Sequence, residues 1–171
     1  MPPTGARGIF RRLSAAYAKL LDVLLVATVV SIILPVTLQI LARFSDFLPR
    51  YIWTEELSRF MLIWMIMIGS MIGVREATHF NVDLFHNLRG RTKAAMDILA
   101  ALFVVGFGYV FMVYGWEFTD TAWYRISELA ELPLWSIHIA WPIAGVSWII
   151  FAGERIWDDV QILRHGERTE S

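Results

Sequence analysis

Four stretches of this chain contain no Asp, Glu, Lys or Arg: residues 23–42, 60–74, 98–116 and 132–153. A soluble domain disperses its apolar residues through amphipathic periods, whereas uninterrupted runs of this kind belong in lipid. A helix rises about 1.5 Å per residue and the bilayer core is about 30 Å thick, so roughly 20 apolar residues are needed to cross it. The first, third and fourth runs reach that length. The second falls short by about one turn, so its helix must draw residues 55–59 into the membrane interface. The expected fold is an all-α membrane protein, a single transmembrane domain over residues 1–171 with spans at about 21–42, 55–76, 95–116 and 132–154.

The charges orient the spans. The arm before the first carries Arg7, Arg11, Arg12 and Lys19, and the connection after the second carries Arg75, Arg89, Arg91 and Lys93. The tail adds Arg155, Arg164 and Arg168, so eleven of the fifteen Lys and Arg fall on one side, against Arg43, Arg50, Arg59 and Arg125 on the other. By the positive-inside rule both termini are expected in the cytoplasm. The first run is about twice the length of a signal-peptide core, and residues 38–44 (LQILARF) offer no small-residue cleavage site, so an uncleaved anchor is expected. Trp53, Trp116, Trp123 and Trp135 flank the spans on the outer side and Trp157 lies just past the inner end of the fourth, the distribution of an aromatic belt.

Pro35 and Pro142 fall inside the first and fourth spans, where a bend is expected at each. In the inner connection Phe80, Leu84, Phe85 and Leu88 recur at helical spacing, which predicts a short cytoplasmic interfacial helix between the second and third spans. Ile156, Val160 and Leu163 continue the fourth helix into the cytoplasm up to Gly166. The outer connection after the third span is acidic, with Glu117, Asp120, Glu128 and Glu131 against Arg125.

Composition excludes several kinds of chemistry. The chain has no cysteine, which removes disulfides, thiolate zinc sites, iron–sulfur clusters and thiol nucleophiles. A net charge of −1 argues against nucleic acid as a partner. Only His138 lies within a span, so the chain cannot build a bis-histidine haem site by itself. Asp22 and Asp97 both sit at inner span ends, so neither suits a proton carrier, and Lys93 is placed to pair with Asp97 at i, i+4.

The candidate residues cluster at the two ends of the second span. At its start, Thr54 is placed to cap the helix, Glu55 and Glu56 lie in the first turn, and Arg59 follows at the spacing that sets it beside both carboxylates. The pairing serves as an anchoring salt bridge, as a docking cluster for a partner helix, or as a gate on an ion path. At its end, Arg75 is expected to snorkel to lipid headgroups, with His79 near the last carbonyls and Asp83 four residues further on; two such groups alone make a weak metal site. Between them Gly69 and Gly73 form a GxxxG step, and Ala140 with Ala144 a small-xxx-small step in the fourth span; either packs within the chain or receives a second protein. Trp64, Trp141 and Trp148 read as lipid-facing or interfacial.

The order of these motifs resembles a known family, the small membrane subunit (DctQ type) of tripartite ATP-independent periplasmic (TRAP) transporters. The likeness runs over residues 20–155 and is carried by residues 53–59 (WTEELSR) leading into Trp64 and Gly69, by Gly73-Val-Arg75 followed by His79 to Asp83, and by Leu132-Pro-Leu-Trp135 with Trp141-Pro142 in the last span. The resemblance implies a subunit of the bacterial inner membrane, without enzymatic activity or cofactor of its own. Its implied partners are a large transport subunit (DctM type) that holds the substrate and sodium sites, a periplasmic substrate-binding protein (DctP type), and membrane lipid. It implies a sodium-coupled symport of organic acids in which this chain braces the large subunit and helps to dock the binding protein. Glu55, Glu56, Arg59, Trp64, Gly69, Gly73, Arg75, His79, Asp83, Trp135 and Pro142 become candidates for subunit contact or membrane anchoring. The alternative is the membrane anchor of a quinone- or haem-linked redox complex.

Overall fold

The computed structural model describes residues 6–44, 49, 51–76 and 91–165. Helix α1 spans Ala6–Phe44, α2 Trp53–Glu76, α3 Arg91–Thr121, α4 Trp135–His138 and α5 Ala140–His165. Four helices are long and apolar enough to cross a membrane, the short α4 leading directly into the fourth. Among the described residues there is no strand beyond an isolated bridge between Ile126 and Pro133. The predicted interfacial helix, with His79 and Asp83, lies outside the described residues.

The helices overrun the charge-free runs. Helix α1 begins 15 residues before the expected span at 21, and α5 continues to His165 as the spacing of Ile156, Val160 and Leu163 predicts. Of the two prolines, Pro35 sits buried inside an unbroken α1. Pro142 lacks the N–H that would bond the carbonyl of His138, and the helix is interrupted at Ile139, which separates α4 from α5.

By backbone approach the long helices run in a row, α1 on α2, α2 on α5, and α5 on α3, while α1 also reaches α5 through the side chains of Arg11, Ser14 and Tyr17. The seam of α1 follows a heptad. Ser14, Ala18, Leu21, Leu25, Thr28, Ile32, Pro35 and Gln39 alternate steps of four and three, and all are buried or half-buried while the residues between are mostly exposed. The central helices α2 and α5 bury Met67, Ile68, Met71, Ala140, Ala144 and Phe151 between them and against α1. A polar bridge crosses this core, where the Tyr17 hydroxyl lies 2.7 Å from Ser147 Oγ and its ring stacks on Phe151 at 5.9 Å. The end of the row holding residues 51–53 and 122–134 is the loop end; the opposite end, where α1 starts and α5 finishes, is the termini end.

Candidate functional site

At the loop end the first turn of α2 is held from three directions. Thr54 is not an N-cap: it lies inside the helix, buried, with its hydroxyl donating to the Tyr51 carbonyl at 2.6 Å. The Gln39 amide of α1 donates to the Thr54 carbonyl and to Ser58 Oγ, both at 2.8 Å, which ties the far end of α1 to α2. Arg59 pairs with Glu55 at 3.4 Å, both side chains well exposed. Glu56 departs from the expected cluster. Its Oε2 accepts the backbone N–H groups of Leu129 at 3.0 Å and Ala130 at 2.6 Å, and Arg59 acts on it only at longer range. Adjacent helical residues point about 100° apart, so one arginine cannot serve both carboxylates equally, and two otherwise orphaned N–H groups bind Glu56 better than a solvated guanidinium.

The segment that Glu56 captures is a small hairpin. Ser127 N–H bonds the Leu132 carbonyl at 2.8 Å, Leu134 N–H bonds the Arg125 carbonyl at 3.0 Å, and Ser127 Oγ accepts the Leu132 N–H at 3.1 Å. Glu131 turns the chain with φ of 52°, in the left-handed region. Trp135, half-buried at the start of α4, stacks on Trp123 at 5.4 Å and so fixes the hairpin to the bundle. Glu117, Asp120, Glu128 and Glu131 are all exposed on this end.

In the middle of the bundle the tryptophans are half-buried and pack on protein. Trp64 Nε1 donates to the Ser136 carbonyl at 3.0 Å, while Trp141 and Trp148 flank Phe111 of α3 at 5.1 and 4.8 Å. The GxxxG step likewise differs from a close-packing site within the chain. A Cβ on Gly69 would meet only Leu25 Cδ1, at 4.0 Å, and one on Gly73 would meet nothing within 4 Å. Gly73 instead lines an apolar cleft of about 310 Å³ with Ser70, Val74, Ala101, Val104, Ala152 and Arg155. Close approach occurs between α3 and α5. A Cβ on Gly145 would come within 2.5 Å of the Gly108 carbonyl oxygen and 2.6 Å of Met112 N, and one on Gly115 within 3.0 Å of Pro142. Ala140 and Ala144 are fully buried on the same helix, so the small residues of α5 do admit neighbours closely.

The termini end carries a layer of ion pairs. Arg75 donates to the Ser14 carbonyl at 3.3 Å and lies over the Phe151 ring at 5.7 Å, joining α2 to α1 and α5. Ser14 Oγ donates to Glu154 at 2.8 Å, and Arg11 pairs with Glu154 and Asp158. Asp97 pairs across to Arg155 on α5 at 2.9 Å, in place of the expected Lys93, and Asp159 lies 3.8 Å from the same guanidinium. Arg11, Ser14, Glu154 and Asp158 were not legible as partners because their positions are 140 and more residues apart. The seven-residue spacing of Gly108 and Gly115 was the visible signal for the α3 face. His138 is occupied locally: Nδ1 lies 2.7 Å from the Leu134 carbonyl, and the ring packs on Phe118 at 4.2 Å. Among the described residues no three His, Cys, Asp or Glu side chains converge as a metal site.

Residues 32–162 match the family model for the DctQ component of tripartite ATP-independent periplasmic transporters. Two curated relatives from Vibrio cholerae serotype O1 are similar to this chain. The C4-dicarboxylate TRAP transporter small permease protein DctQ is 25% identical over 101 residues, which are 52% of this chain and 44% of the relative. The sialic acid TRAP transporter small permease protein SiaQ is 23% identical over 116 residues, 66% of this chain and 65% of the relative. The match thus spans less than two thirds of either relative's own length.

Proposed function

Because the chain belongs to the DctQ component family of tripartite ATP-independent periplasmic transporters, a transporter component and not an enzyme, we propose that it is the small inner-membrane subunit of a sodium-coupled organic-acid uptake system. Family membership sets aside the redox-anchor alternative. In this reading the chain braces a large DctM-type subunit, which holds the sodium and substrate sites, and its loop end faces the periplasm and helps to receive a DctP-type binding protein. Both termini then lie in the cytoplasm, as the distribution of Lys and Arg supports. The relatives are named for C4-dicarboxylate and sialic acid, which supports a carboxylate as the transported class.

The observation that carries the bracing role is the lock between α3 and α5. The backbones meet at Gly108 and Gly145 with no room for even a methyl group, and the Asp97–Arg155 pair closes the same interface at the termini end. Helices held this way resist sliding, which suits a static support and not a moving carrier. Contact with the large subunit is proposed at Glu55 and Arg59, whose side chains point away from the bundle, and at Gly73, whose face no neighbour fills. The test is co-purification: the tagged chain, expressed with its neighbouring genes, is extracted and its companions identified by mass spectrometry. A many-helix membrane protein is expected. A flavin or haem protein in its place would overturn the reading.

A further inference from the structure

We propose that the hairpin at residues 124–134 is a docking surface for a soluble protein with a basic face around an apolar centre, and that Glu56 of α2 sets its shape. The proposal rests on the reading that the loop end meets a soluble binding protein.

Three large apolar side chains project from this short segment: Tyr124 is 94% exposed, Ile126 64% and Leu129 49%. The backbone that presents them is nevertheless held on three sides. Glu56 grips the Leu129 and Ala130 amides, cross-strand bonds join Ser127 to Leu132 and Arg125 to Leu134, and the Trp123–Trp135 stack fixes the base. Apolar groups already fixed in place have little ordering entropy left to lose on contact, which is the arrangement of a preorganised binding surface.

The charges choose the partner. Asp120, Glu128 and Glu131 are exposed around these side chains, with Arg125 the only basic residue of the hairpin. Carboxylates at this density oppose burial among anionic lipid headgroups. They favour instead a protein whose Lys and Arg surround an apolar patch, since an apolar centre with a charged rim is the common anatomy of a protein interface, and the rim charges speed encounter. Glu56 is half-buried beside this surface, its carboxylate bonded to the Leu129 and Ala130 amides. It acts through the hairpin backbone, so it is a positioning residue.

The test uses the complete chain in complex with its large subunit in nanodiscs, titrated with the soluble binding protein encoded beside it, at several ionic strengths. Tyr124→Ala with Glu128→Lys is expected to weaken binding at least about tenfold and to flatten its salt dependence. Glu56→Ala is expected to weaken binding with the surface side chains intact. Glu56→Gln should restore part of that loss, because an amide oxygen still accepts the two N–H groups. All three should co-purify with the large subunit as the parent does. If the parent binds and the Tyr124/Glu128 variant binds equally well, the hairpin is an interfacial anchor and the proposal falls while the transporter reading stands. If the parent complex binds no soluble partner in any ligand state, the reading and the proposal fall together.

Discussion

Arg155 shows how a single side chain can hold a helix pair at the end of a membrane bundle. Its guanidinium and the Asp97 carboxylate are only 21% and 27% exposed, so removing the cation strands a half-buried carboxylate. The cost lies between that of a surface pair and that of a buried one: Arg155→Ala should destabilise by about 1–3 kcal/mol, read as a lower thermal midpoint in detergent, and adding Asp97→Asn should recover part of it. Glu56 offers a second check by another route. Glu56→Ala should speed hydrogen exchange at the Leu129 and Ala130 amides well beyond that of the rest of the hairpin, since those two N–H groups lose their acceptor. The sequence placed Glu55, Glu56, Arg59 and Arg75 at the two ends of α2 and foresaw the Glu55–Arg59 pair, but did not disclose the partners of Glu56 and Arg75. Helical spacing reports neighbours along one helix, and Arg75 found its acceptor on Ser14, 61 residues away.

Among the helices, the charge-free runs located all four spans because the cost of burying a charge in lipid is large and local. They could not locate the helix ends, since α1 and α5 extend beyond the charge-free runs, joined there by cross-helix ion pairs that no run of apolar residues records. The GxxxG step left its partner open for a related reason. Small residues permit close approach but do not choose which helix arrives, and the approach occurs at Gly108, Gly115 and Gly145. Two substitutions separate these cases. Gly145→Leu drives a side chain into the α3 backbone and should cost about 3 kcal/mol or more, whereas Gly73→Leu should leave the isolated chain within about 0.5 kcal/mol of the parent. Thermal unfolding of both in detergent checks the contrast. If Gly73→Leu keeps its stability but loses the large subunit, the cleft it lines is where that subunit packs.

Across the whole molecule, the row arrangement leaves the flanking helices bare. In the most apolar stretch of each span, 6% of residues are buried in the first and 11% in the third, against 22% and 44% in the second and fourth. Lipid or a partner must cover the long apolar sides of α1 and α3. Orientation can be read directly, because the chain has no cysteine and any introduced thiol is unique. Tyr124→Cys should react with a membrane-impermeant maleimide in cells with a permeabilised outer membrane, and Trp157→Cys only after the inner membrane is opened; the reverse pattern would invert the topology.

The row also has a direction in time. Helix α5, against which both α2 and α3 pack, is the last of the four long helices to be synthesised. At roughly 5–20 residues per second, α3 enters the bilayer several seconds before the helix that clasps it exists. During that interval α1 and α2 already have each other, while α3 waits unpaired with Gly108, Gly115 and Asp97 uncovered. Any helper that attends the birth of this protein has its work at that moment, and a ribosome that stalls before α5 leaves a third helix with no companion of its own chain.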